Sequence, residues 1–69
     1  MAKFEERLKE LRKTNKITQE QLAKALNVYQ SRITRWEQGI NEPSIEILKQ
    51  LAKELNTSID YLVGYTNQK

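Results

Sequence analysis

The sequence predicts an all-α fold, one compact bundle of five short helices. Two observations carry that prediction. Apolar residues return at three- and four-residue intervals within several separate short segments, which is the period of one helix face. Three of the segments open on Thr18, Ser44 and Ser58, hydroxyl residues suited to a helix N-cap, and close on Asn27, Asn56 and Gly64, residues that tolerate left-handed backbone. A length of 69 residues allows one domain, taken as residues 1–69, near the lower limit at which a core holds without staples.

The first helix is predicted from about Lys3 to Thr14. Phe4, Leu8 and Leu11 form its apolar stripe. Arg12 borders that stripe, and an arginine there either keeps its head in water or meets a carboxylate on an inner face. Asn15, Lys16 and Ile17 lead into Thr18, which with Gln21 three residues later fits a capping box. Gln19 then stands at the first helical position, where free N–H groups and a partial positive charge favour phosphate, although an ordinary surface glutamine would look the same. Leu22, Ala23 and Leu26 fall on one face of this second helix, Ala23 being small enough for another helix to approach. Asn27 turns the chain.

The third helix has an unusual wheel. With Ile33 taken as the inward direction, Trp36 and Glu37 lie within about 60° of it at about 100° per residue. Ser31, Thr34, Arg35 and Gln38 point the other way, with the amide of Gln30 near the N-terminal end. A polar, short-sided, partly cationic face is what a helix needs in the DNA major groove, where amides and guanidinium groups pair bidentately with base edges. A merely solvated helix face gives the same wheel. Glu37 on the inner side needs a partner, because an unpaired carboxylate there loses several kcal/mol on desolvation.

Gly39 ends that helix and residues 40–43 form a loop. Pro43-Ser44 announces a fourth helix with Ser44 as its cap; its stripe is Ile45, Leu48, Leu51, Ala52 and Leu55, with Ile47 on the flank. Its polar face balances Glu46 and Glu54 against Lys49 and Lys53, which favours core packing over a membrane surface. Asn56 turns the chain again, and Ser58 caps a last helix through Val63, where Ile59 and Leu62 complete the core. Tyr61, Val63 and Tyr65 are expected to leave apolar surface beyond what a monomer's last turn needs, and residues 66–69 are expected to fray.

The string Thr18-Gln-Glu-Gln-Leu-Ala, then Asn27-Val, then Ser31-x-Ile33-x-Arg35-Trp36-Glu37-x-Gly39 resembles the helix-turn-helix of the phage repressor and Cro family, also called the XRE family. The resemblance runs from about Arg7 to Leu62 without gaps. It implies a lambda-repressor-like bundle whose second and third helices form the helix-turn-helix. By position it implies base contacts from Gln30, Ser31, Thr34 and Arg35, with Thr34 suited to a thymine methyl. It implies phosphate contacts from Gln19, Tyr29, Arg32 and Gln38. Gln19 is also placed to steady Gln30. It further implies a structural salt bridge between Arg12 and Glu37, and a dimer interface through Tyr61, Val63 and Tyr65. Tyr29 departs from the family pattern, which has Ser or Thr capping the reading helix; its ring either lies along the sugar-phosphate edge or stands in solvent without a role.

Composition narrows the function classes. Without cysteine there is no disulfide or thiolate metal site, and without histidine the commonest general base and metal ligand is missing. No metal, cofactor, small-molecule substrate or enzymatic activity is therefore expected. The apolar runs are too short to span a bilayer, so no membrane association is expected and the reading is a cytoplasmic protein; the family resemblance implies that it is bacterial or phage-encoded. Formal net charge is +3, unevenly spread: residues 1–36 hold nine Lys or Arg against four Glu, residues 37–69 three against five acids. A basic half that contains the reading helix suits a polyanion. The expected function is a dimeric regulator, most simply a repressor, that binds a palindromic operator in double-stranded DNA. The alternative is an antitoxin-like interaction module whose DNA binding depends on a partner protein.

Overall fold

The computed structural model describes residues 3–69. Five helices run through them: α1 (Phe4–Thr14), α2 (Gln19–Leu26), α3 (Gln30–Glu37), α4 (Ile45–Glu54) and α5 (Ile59–Leu62). No strand occurs among the described residues.

Helix starts follow capping chemistry. Thr18 Oγ1 accepts from the Gln21 N–H at 3.0 Å while Gln21 Oε1 accepts from the Thr18 N–H at 2.9 Å, a reciprocal capping box. Ser44 and Ser58 accept in the same way from Ile47 and Tyr61, at 3.3 and 3.0 Å. Lys3 is the N-cap of α1 rather than its first residue. Helix ends need positive φ, which Asn27 (58°), Asn56 (55°) and Gly39 (74°) supply. A Cβ on Gly39 would also fall 2.8 Å from Glu5 Oε2; the backbone angle is the firmer reason for glycine, since the Glu5 side chain can swing aside.

The helices close a ring: α1 packs on α3, α3 on α2, α2 on α4, α4 on α5, and α5 back on α1. Inside it lie Leu8, Leu11, Leu22, Ala23, Leu26, Ile33, Trp36, Leu51, Ala52, Leu55, Tyr61 and Leu62, bordered by partly buried Phe4, Ile17, Val28, Ile47, Leu48 and Ile59. Each large side chain so buried contributes about 1.5–3 kcal/mol. Asn15 locks two helix ends together, its Nδ2 donating to the carbonyls of Leu11 (2.8 Å) and Leu55 (3.1 Å).

Two side chains depart from the stripes read in the sequence. Ile45 is 69% exposed, because it occupies the first position of α4, ahead of the second half where Leu51, Ala52 and Leu55 enter the core. Tyr61, expected on the surface, is only 6% exposed. Its ring lies under the Arg7 guanidinium, 3.9 Å from Cζ to the ring centroid, and its hydroxyl donates to Glu10 Oε1 at 2.8 Å. Arg7 itself is buried and donates to the Tyr61 carbonyl (2.7 Å), to the Thr66 carbonyl and to Asn67 Oδ1 (2.7 Å). The first two residues of the tail expected to fray are thus tied to α1.

Candidate nucleic-acid interface

The α2–turn–α3 unit is built by backbone geometry. Left-handed Asn27 reverses the chain, Val28 N–H donates to the Ala23 carbonyl at 3.0 Å, and α3 begins at Gln30 after only Val28 and Tyr29. Tyr29 is extended (φ −72°, ψ 145°), makes no side-chain cap, and leaves its ring 82% exposed. Ile33, Trp36 and Glu37 are buried, whereas Gln30, Ser31, Arg32, Arg35 and Gln38 are exposed and Thr34 is half-buried. The polar face is therefore turned to solvent by three buried anchors, as the wheel requires. Arg32 reaches back over Trp36 at 6.0 Å from the ring centroid and borders a shallow depression with Asn27, Val28 and Tyr29.

Behind that face sits a charged pair. Arg12 Nε donates to Glu37 Oε2 at 2.6 Å and Nη2 to Oε1 at 3.2 Å, a bidentate contact between α1 and α3. Arg12 Nη1 also donates to the Ile17 carbonyl at 3.0 Å. The side chains are 13% and 4% exposed, so most of the desolvation cost is met by paired donors and acceptors.

Gln19 connects this pair to the outer face. Its Nε2 donates to Glu37 Oε1 at 3.0 Å, while its Oε1 accepts from Thr34 Oγ1 at 2.9 Å and faces Gln30 Nε2 at 3.4 Å. Gln19, Gln30 and Thr34 are thereby brought into one cluster, with Ser31 and Arg35 on the exposed face of the same helix. Of the residues read as an apolar surface, Val63 and Tyr65 are exposed. Val63 lines a groove with Phe4, Pro43 and Leu48, whereas Tyr61 is buried in the core. Among the described residues no group of His, Cys, Asp or Glu is arranged to hold a metal ion, and no helix is long and apolar enough to cross a membrane.

Arg7 is a buried residue that the sequence reading does not single out, yet a signal for it exists. It stands three residues after Phe4 and four before Leu11, inside the apolar stripe, where a cation must find acceptors or bear the full cost of desolvation.

Two helices joined by a tight turn, the second with an exposed polar face and a buried apolar one, define a helix-turn-helix domain of the type that reads DNA. The chain belongs to the family described as "Helix-turn-helix", whose model matches residues 8–62. It is 41% identical over 61 residues to the HTH-type transcriptional activator BcrR of Enterococcus faecalis, covering 88% of this chain and 30% of that protein. It is 37% identical over 67 residues to the HTH-type transcriptional regulator YqaE of Bacillus subtilis, covering 96% of this chain and 58% of that one. The chain thus spans less than two thirds of either relative. The P22 c2 repressor, solved in complex with a synthetic operator, superposes with a TM-score of 0.86 at 38% identity, over 91% of this chain and 96% of that one.

Proposed function

We propose that this chain binds operator DNA as a homodimer, with α3 in the major groove, and regulates transcription by occupying a promoter. The observation that carries the reading is the division of α3 between buried Ile33, Trp36 and Glu37 and exposed Gln30, Ser31 and Arg35. The likeness to the P22 c2 repressor on its operator supports it. In this reading Gln30, Ser31 and Arg35 touch bases, and the Thr34 methyl meets a thymine. Gln19, Tyr29, Arg32 and Gln38 hold phosphates on either side of the groove. Val63 and Tyr65, with the groove beside Val63, form the contact between protomers, and no catalytic step is involved.

Arg35 gives the most specific test. One turn beyond Ser31 on the exposed face, its guanidinium can donate two parallel bonds to O6 and N7 of guanine, a pattern only guanine offers in the major groove. Arg35→Ala is then expected to lose about 1–3 kcal/mol on the preferred site and to relax the base requirement at one position per half-site. Lysine should restore charge and only part of the discrimination, because it lacks the planar fork. Binding curves on the site and its single-base variants, at two salt concentrations, decide between base and phosphate. An equal loss on every sequence, with the salt slope reduced by about 1, would assign Arg35 to the backbone.

A further inference from the structure

We propose that Glu37, beyond pairing with Arg12, is a positioning residue for DNA reading: through Gln19 it sets the order in which the Gln30 amide presents its donor and acceptor. The inference rests on the DNA-reading function proposed above and concerns how one base preference arises within it.

A buried carboxylate restricts what can face it. Glu37 is buried and both of its oxygens accept from the Arg12 guanidinium, so each presents only acceptor capacity to a further neighbour. The end of the Gln19 amide that faces it at 3.0 Å must therefore be the NH2 group. That choice turns Gln19 Oε1 toward α3, where it accepts from the Thr34 hydroxyl at 2.9 Å. The same oxygen faces Gln30 at 3.4 Å, and only the Gln30 NH2 is compatible with an acceptor there. Each amide in the series has its direction dictated by the one behind it, and the series starts at a carboxylate whose two oxygens are already committed as acceptors.

The consequence appears at the exposed end. With Nε2 of Gln30 turned inward, its second N–H and its Oε1 remain for the groove in a fixed order. An amide so held suits adenine, whose N7 accepts and whose N6 donates. The remaining N–H of Gln19 stays available for a phosphate. Reversing Gln19 would set its carbonyl against the Glu37 carboxylate, and the Thr34 hydroxyl would then fall back on the Gln30 carbonyl, 3.4 Å away in the same turn of α3. Gln30 would have to reverse as well, exchanging donor and acceptor at the base edge.

Two substitutions interrupt the series at different places. Glu37→Gln replaces the carboxylate by a group of the same shape that can face Gln19 with either end. Gln19→Met removes the amide and leaves the Arg12–Glu37 pair intact, so it answers the question if Glu37→Gln unfolds. The site selected by the parent chain from a random DNA pool supplies the duplex, and binding is measured on it and on every single-base variant, with thermal melts run alongside. The expected result is about a tenfold loss of preference at one position per half-site, the one that loses discrimination in Gln30→Ala, with the preference governed by Arg35 unchanged. Removing a phosphate grip at Gln19 lowers affinity on every duplex alike and leaves these ratios untouched. If folded Gln19→Met keeps the parent's full set of base preferences, Glu37 acts on stability alone and the inference is wrong. If the parent selects no sequence at all, the DNA-reading proposal falls, and this inference with it.

Discussion

At Tyr61 a phenol that could have faced solvent is instead held under Arg7 and donates to Glu10. The hydrogen bond to the Glu10 carboxylate, then burial, then the carboxylate's charge raise the phenol's pKa above its ordinary value of 10.0, and the Arg7 cation partly opposes them. A pKa raised by folding means the native state holds the proton more tightly than the unfolded chain. The contribution is therefore complete below pH 10.0 and is lost as pH climbs through the folded-state value. Tyr61→Phe keeps the ring and removes the hydroxyl. It should cost about 1.5 kcal/mol at neutral pH, the low end for a bond to a charged group because Glu10 is partly exposed. Urea unfolding of both proteins across the alkaline range checks this: the gap should close as pH rises past 10.0, and a gap independent of pH would remove Glu10 from the account.

The elements differ in how their starts are secured. α2, α4 and α5 open on hydroxyl caps, whereas α3 opens on Tyr29 with no side-chain cap. Because the Tyr29 ring is exposed, exchanging it for Ser sacrifices little packing and adds an acceptor for the first turn. Tyr29→Ser should raise unfolding free energy by about 1 kcal/mol in urea titrations. If the ring also lies on the sugar-phosphate edge, the same variant should bind every DNA sequence a little less tightly. No gain in stability would mean that the first turn of α3 is already satisfied by water. Caps, turns and the two faces of α3 are legible in the sequence because they depend on residues three or four apart. The Arg12–Glu37 pair comes from the family resemblance, supported by the need of an inward carboxylate for a partner. What is not legible depends on residues distant in sequence. Tyr61 faces inward because of Arg7, 54 residues earlier, and a four-residue helix is too short for its period to choose between Tyr61 and Val63. Gln19 lies 18 residues from Glu37, and no spacing rule announces that hydrogen bond. Ile45 matches the stripe in period but stands ahead of the part of α4 that enters the core.

For the whole molecule, the ring of five helices leaves α3 with an exposed polar face and places Val63 and Tyr65 at the chain's last turn. The bundle measures 28 × 22 × 21 Å, so two copies side by side can place two reading helices about one turn of DNA apart, roughly 34 Å. A site bound in this way must be two-fold symmetric, because the two protomers meet it through the same residues in opposite directions. A domain of this size is expected to associate weakly alone and more firmly when DNA aligns both copies. The measurement that bears most directly on the account is selection of bound duplexes from a random pool by the parent chain. It should return an inverted repeat with half-sites spaced about 10 base pairs centre to centre. Recovery of duplexes with no common sequence, or of a single unrepeated half-site at saturation, would contradict the dimeric reading of DNA by α3.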